Sequence, residues 1–182
     1  MAQKSTDTRF FTNDERGTLL QRFKQTLRHV DKFDVLVGYF RASGFYALYK
    51  DLEKVKKIRI LNGLDVDSKT FRAFSESQQE LGFDSAAKAK ENYAKRVEEE
   101  IVESEDNHQT FEGYQKFVEY LKSNKIELKQ HPSHKLHAKV YISRFGGSVA
   151  DIDFGRVITG SSNFSQSGLI DNHEFNVELK DR

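Results

Sequence analysis

Apolar residues recur along this chain with two different periods, and the alternation between them outlines the fold. In "TNDERGTLLQRFKQTLRHV", Leu19, Leu20, Phe23, Leu27 and Val30 fall at helical spacing, with Thr12 or Asn13 placed to cap the helix. "FDVLVGYF" is a continuous apolar, β-branched run and predicts a buried strand. "RASGFYALYKDLEKV" returns to the helical period, and "KKIRILNGL" predicts a second strand. Strand, helix and strand at these lengths form a βαβ unit with parallel strands.

The pattern changes between about Asp67 and Asn107, where polar helix formers dominate. Tyr93, Val97 and Ile101 make only a narrow apolar stripe there, which predicts a solvated helical insertion, with a partner-docking helix as the other reading. "TFEGYQKFVEYLKSN" is a further amphipathic helix, followed by a strand at "KIELKQH". The last third predicts three strands, "HAKVYISRF", "FGRVITGSSNF" and "HEFNVELK". No internal repeat or low-complexity segment interrupts this order. The expected class is α/β, a mixed central β-sheet flanked by helices, over a single domain of 182 residues. The chain stops as a strand-like alternation completes, which fits either a small whole protein or the amino-terminal piece of a longer one.

Composition narrows the chemistry. There is no cysteine, which removes disulfides, thiolate catalysis and cysteine-based zinc sites. No apolar run approaches the ~18 residues of a membrane span, and "MAQKSTDTRF" lacks the apolar core of a signal peptide. The expectation is a soluble cytoplasmic protein with no membrane partner. A net charge of +1 means that any polyanion must be held by a local patch.

Three segments carry polar groups on one strand face each. His137 and Lys139 are two residues apart, as are Ser161 and Asn163, where Gly160 lets the backbone approach a ligand closely. Asn172, Glu174 and Asn176 share one side of the last strand, and Phe175, Val177 and Leu179 the other. Brought together, an imidazole, an ammonium, a hydroxyl, an amide and a carboxylate suit phosphoryl chemistry.

His137-x-Lys139, Gly160-Ser161-x-Asn163 and Glu174 together resemble the HKD signature of the phospholipase D superfamily. "GSSNFSQSGLIDNHEFNVEL" is especially similar to its nuclease-like branch, and the earlier strands to domains found in restriction endonucleases or ahead of helicase modules. The resemblance implies a phospholipase D-like half and a phosphodiesterase that hydrolyses nucleic acid, DNA in the first instance, without metal or other cofactor. In that scheme His137 attacks phosphorus and forms a phosphohistidine. Lys139 and Asn163 hold the non-bridging oxygens, Ser161 adds a hydroxyl donor, and Glu174 orients a catalytic imidazole. The scheme needs two histidines and the chain has one HxK motif, so the resemblance implies a homodimer sharing one site. Where the family has Asp, five residues past the lysine, this chain has Arg144.

Other residues near the motif have plainer readings. His131 and His134 are expected as loop residues at the substrate entrance. His134-x-x-His137 imitates half a metal site, but no third ligand is evident. Lys122, Lys125, Lys129, Lys135, Lys139 and Arg144 face one acid, Glu127, over the same stretch. That is either a solvated strand edge or a phosphate-tracking surface, with Lys129, His134, Lys135 and Arg144 as candidate substrate contacts. Tyr141 and Phe145 are expected in the core. The alternative function is a catalytically silent DNA-binding or targeting module of a helicase or restriction system. A lipid phosphodiesterase is disfavoured because no apolar entry surface or membrane-associating helix is visible.

Overall fold

The computed structural model describes residues 6–14, 17–66, 69–70, 72–73, 108–131, 135–151 and 153–181. Almost all of the expected helical insertion at 67–107, and His134, lie outside the described residues.

Seven strands form one mixed sheet: β1 (Thr6–Thr12), β2 (Val30–Phe40), β3 (Lys57–Val66), β4 (Ile126–Gln130), β5 (Lys139–Phe145), β6 (Gly155–Gly160) and β7 (Phe175–Asp181). Their spatial order is β1-β7-β6-β5-β2-β3-β4. The β2–β3 pair is parallel, as the βαβ reading expects; β3–β4 is parallel as well, and the other pairs are antiparallel. β1 is the strand that sequence reading missed; its polar composition hides a run that pairs with β7 from Thr6–Asp181 to Thr12–Phe175.

Three described helices, α1 (Leu19–Thr26), α2 (Ala42–Tyr46) and α3 (His108–Lys122), pack on one sheet face. Phe23 of α1 meets Phe33 and Tyr141 edge-on at 5.5 and 5.0 Å. Phe40 stacks on Phe164 at 5.1 Å and on Phe117 of α3 at 6.0 Å. These rings are all at most 2% exposed, so one aromatic core joins strands, helices and the loop after β6.

The start of α1 corrects the expected cap. Thr18 is the N-cap, its hydroxyl accepting from the Gln21 N–H at 3.2 Å. Asn13 still contributes, because its Oδ1 accepts the Leu19 N–H at 2.8 Å from the end of β1. The helix read from "RASGFYALYKDLEKV" shortens to α2 and a series of turns. Phe45, Leu48, Tyr49, Leu52 and Val55 are nevertheless all buried, so the periodicity marked the core-facing side correctly.

The opposite sheet face is lined differently. Asp34 there pairs with Arg59 through two bonds of 2.6 and 2.7 Å, and with Arg144 at 3.2 Å. Leu36, Val140 and Ile142 lie half-buried beside them.

Candidate active site

The candidate groups come together where β2 ends, β5 begins, β6 ends and β7 begins. The antiparallel register of β5 with β2 and β6, and of β6 with β7, brings those four strand ends to one edge of the sheet.

His137 lies just before β5. Gly38 donates its N–H to the Ala138 carbonyl at 2.9 Å, which carries the β2–β5 pairing up to the motif. A Cβ on Gly38 would stand 3.0 Å from His137 Cδ2, so glycine makes room for the ring. The β2–β3 register shifts between Val37 and Tyr39, a bulge beside the imidazole of the kind that re-aims strands near functional sites. The Tyr39 ring meets the imidazole edge-on at 6.1 Å. Gly63 of β3 lies so near Leu136 that a Cβ would fall 1.8 Å from its carbonyl oxygen. That contact fixes the segment leading into His137.

Lys139 points to the core face with Tyr141 and is 8% exposed. Its Nζ lies 3.0 Å from both His137 Nδ1 and Nε2, and 3.4 Å from the His137 carbonyl. Equal distances to both nitrogens set the ammonium against the ring and not along one lone pair. Burial lowers the Lys139 pKa below the ordinary lysine value, and the charge of Glu174 pulls the other way.

Asn163 sits on the turn after β6. Its Oδ1 accepts the Tyr39 N–H at 3.3 Å, which assigns the oxygen and leaves the Nδ2 group as the donor. The turn is held from below. Tyr141 donates its hydroxyl to the Ser162 carbonyl at 2.7 Å, and Asn176 Nδ2 donates to Ser162 Oγ at 3.0 Å. Complete burial pushes the Tyr141 pKa up, so this hydroxyl remains a donor across the working range.

Ser161 and Glu174 form a pair. The Ser161 hydroxyl donates to Glu174 Oε2 and accepts the Phe175 N–H at 3.0 Å, while Asn172 donates to Glu174 Oε1 at 3.3 Å. In the single chain the Glu174 carboxylate thus binds a serine and an asparagine. Gly160 lies against β7, where a Cβ would fall 2.1 Å from the Phe175 carbonyl oxygen.

The structure therefore gathers His137, Lys139, Ser161, Asn163 and Glu174 at one end of the sheet. It does not bring Arg144 there. That side chain lies five residues along β5, about 17 Å away at the usual strand rise, on the opposite face, paired with Asp34. Lys129 is on β4, three strands from β5, and its Nζ binds Glu127 at 2.6 Å. Lys135, two residues before His137, is exposed beside the site. His131 is half-buried, its N–H bonded to the Asn62 carbonyl at 2.8 Å. Sequence reasoning missed Gly38 and the Tyr39 amide. The signal was available, since a lone glycine in "DVLVGYF" marks a bulge or close approach.

The family described as "Cardiolipin synthase, PLD-like domain" matches residues 20–182. The chain belongs to this phospholipase D-like family. No curated protein matches it in sequence. Among solved structures, yeast tyrosyl-DNA phosphodiesterase shares 11% identity at a TM-score of 0.51, over 95% of this chain and 32% of that one. NucT from Helicobacter pylori shares 11% identity at 0.48, over 96% of this chain and 86% of that one. Nuc from Salmonella typhimurium shares 14% identity at 0.46, over 98% and 84%. This PLD-like chain thus spans about a third of the tyrosyl-DNA phosphodiesterase, and their likeness is one of fold.

Proposed function

We propose that this PLD-like protein is a phosphodiesterase that hydrolyses nucleic-acid phosphodiester bonds through a phosphohistidine, with its active site shared by two copies. The observation that carries the reading is the Lys139 ammonium, 8% exposed, held 3.0 Å from the His137 ring nitrogens. A cation so placed, with no bonded carboxylate among the described residues, is kept for an anion that arrives with the substrate.

In the first step a His137 ring nitrogen attacks phosphorus. An N–P bond forms, the P–O bond to the leaving oxygen breaks, and that oxygen takes a proton from the second copy's imidazole. In the second step that imidazole removes a proton from water, whose oxygen attacks phosphorus and releases His137. Lys139 and the Asn163 Nδ2 group hold the non-bridging oxygens as charge grows on them. Lys139 supplies the positive charge that a metal gives elsewhere. Ser161 acts here as a positioning residue, because its hydroxyl already donates to Glu174. With Asn172 it holds that carboxylate ready for an imidazole that its own chain does not bring.

The substrate class rests on the exposed Lys135 beside the site, a cation placed to meet a phosphate. The test is incubation with single- and double-stranded DNA and RNA in excess chelator, beside His137→Ala. Cleavage should persist in chelator and vanish in the variant. Loss to chelator alone, or retention in the variant, overturns the reading.

A further inference from the structure

Tyr39 and Arg41 follow the bulge at the end of β2, and both are half-buried beside the candidate site. The Tyr39 ring meets the His137 imidazole edge-on at 6.1 Å, and the Arg41 guanidinium lies over that ring, 5.7 Å from its centre. The guanidinium carbon is therefore at most about 12 Å from the imidazole centre, the two distances laid end to end. The backbone fixes this pair against the turn that carries Asn163. Tyr39 donates its N–H to Asn163 Oδ1 at 3.3 Å, Arg41 donates its N–H to the Phe164 carbonyl at 2.9 Å, and Ser43 Oγ accepts the Gln166 N–H at 3.2 Å.

The start of α2 does not account for an arginine here. Arg41 is its N-cap, a place that favours short polar side chains, and it makes no cap bond. Its side chain lies on the Tyr39 ring, which holds a guanidinium by its face and lowers the entropy lost when a ligand arrives. Lys139 already places one cation at the ring nitrogens of His137, 3.0 Å away. Arg41 makes its contact one ring farther out.

We propose that Arg41, seated on Tyr39, binds the phosphate next to the scissile one along the same strand. The inference rests on the proposed function and deepens it: the preferred substrate carries a second phosphate one nucleotide from the bond that is cut. Two cations at a fixed separation suit two anions at a fixed separation, which successive phosphates of a nucleic acid supply. Guanidinium fits the outer position, because its planar fork can stack on the ring and still present N–H donors to two phosphate oxygens. Such a contact reads no base, so it favours polymer over mononucleotide at any sequence.

The test fixes the cleaved bond with an aryl leaving group. The aryl diesters are p-nitrophenyl thymidine phosphates, esterified at either sugar hydroxyl, each with and without a phosphate on the other hydroxyl. In one of the two pairs the added phosphate should raise wild-type kcat/KM about tenfold, the worth of one charge-assisted contact. Arg41→Gln should abolish that gain and leave hydrolysis of the esters without the added phosphate unchanged, which also shows that the variant folds. No gain in either pair, or a gain that survives Arg41→Gln, overturns the inference, and His137-dependent hydrolysis in that case leaves the proposed function standing. An equal loss on esters with and without the added phosphate assigns Arg41 to packing around Tyr39 and also overturns it. Where no ester is hydrolysed, calorimetry with thymidine bisphosphate against the two monophosphates reads the same contact. Tenfold tighter binding of the bisphosphate, lost in Arg41→Gln, upholds the subsite and removes the catalytic reading, whereas equal affinities overturn both.

Discussion

The Lys139 ammonium stands 3.0 Å from each ring nitrogen of His137, with burial disfavouring its charge. The fold thus keeps a cation where it is costly in the absence of an anion. Its pKa is lowered below the usual 10.5, so between those two values the folded chain has released a proton that the unfolded chain still holds. Stability therefore rises with pH across that window, and below it the charged lysine is a net cost. Lys139→Met should abolish cleavage and raise stability at neutral pH by about 1 kcal/mol, or ~2–4 °C in Tm. Wild-type kcat/KM should fall on the alkaline side with a midpoint under 10.5. Lys139→Arg should retain weak activity without that limb, because guanidinium does not titrate there. A Tm lowered by Lys139→Met, or a limb unmoved by Lys139→Arg, would contradict this account.

Asn163 gives its oxygen to the Tyr39 N–H at 3.3 Å, which separates its two functions. Asn163→Asp keeps the acceptor and so keeps the turn, but it replaces a donor by a negative charge facing a phosphate. Activity should drop by roughly 100-fold or more, as when an oxyanion donor is removed. The thermal midpoint should stay within a few degrees of wild type. Large destabilisation in this variant would mean that Asn163 is there for the turn and not for the substrate.

Gly38 tests how tightly His137, the proposed nucleophile, is placed. Its missing Cβ would be 3.0 Å from His137 Cδ2 and 3.4 Å from His137 Cα, so alanine must displace the ring by a few tenths of an ångström. Small misplacement of a reacting group is expensive in rate. Gly38→Ala should cut kcat about tenfold on the aryl diester and leave KM little changed. An unchanged kcat would show that the ring tolerates the shift, and the bulge would then have only a structural role.

Much of this site was legible in the sequence because its chemistry sits at the ends of apolar strands that the sequence marks: His137 just before β5, Lys139 at its start, Ser161 and Asn163 just after β6, and Glu174 just before β7. The expectation that Ser161 and Asn163 share a strand face is not met, because β6 ends at Gly160 and both lie on the turn that follows. The apolar runs of β2 and β3 likewise announced parallel, buried strands. What stayed hidden depends on contacts far apart in the chain. Thr6–Thr12 becomes a strand only because β7 offers it a partner, and nothing in its own polarity says so. The Ser161 hydroxyl donates to Glu174, thirteen residues away, a bond that no local pattern announces. Arg144 lay within a basic stretch, but a strand carries successive residues away from the site and to alternate faces, and Asp34 of β2 claims it. The apolar residues of β7 illustrate the limit most clearly. Asn176 and Glu178 are the buried ones, at 1% and 0%, while Phe175 and Leu179 face outward. Glu178 is held inside by Arg22 and by Arg156 Nε at 3.4 Å, a pairing that no local pattern encodes.

Sharing of the site between two copies makes a quantitative prediction that dimerisation alone does not. If each site needs one imidazole from each protomer, a mixed dimer of wild type and His137→Ala has a single ring and cannot both attack phosphorus and protonate the leaving oxygen. After full subunit exchange at equal amounts, about one quarter of the dimers are wild type on both sides. Activity per total chain should then fall to about one quarter of that of pure wild type. Chains that act independently would give about one half, since every wild-type chain would keep its own site. Exchange is followed by mass on tagged and untagged subunits, so incomplete mixing is seen directly. An activity of one half at complete exchange, or full activity in a species with the mass of a single chain, removes the shared site. Glu174 would then have to be explained by its bonds to Ser161 and Asn172 alone.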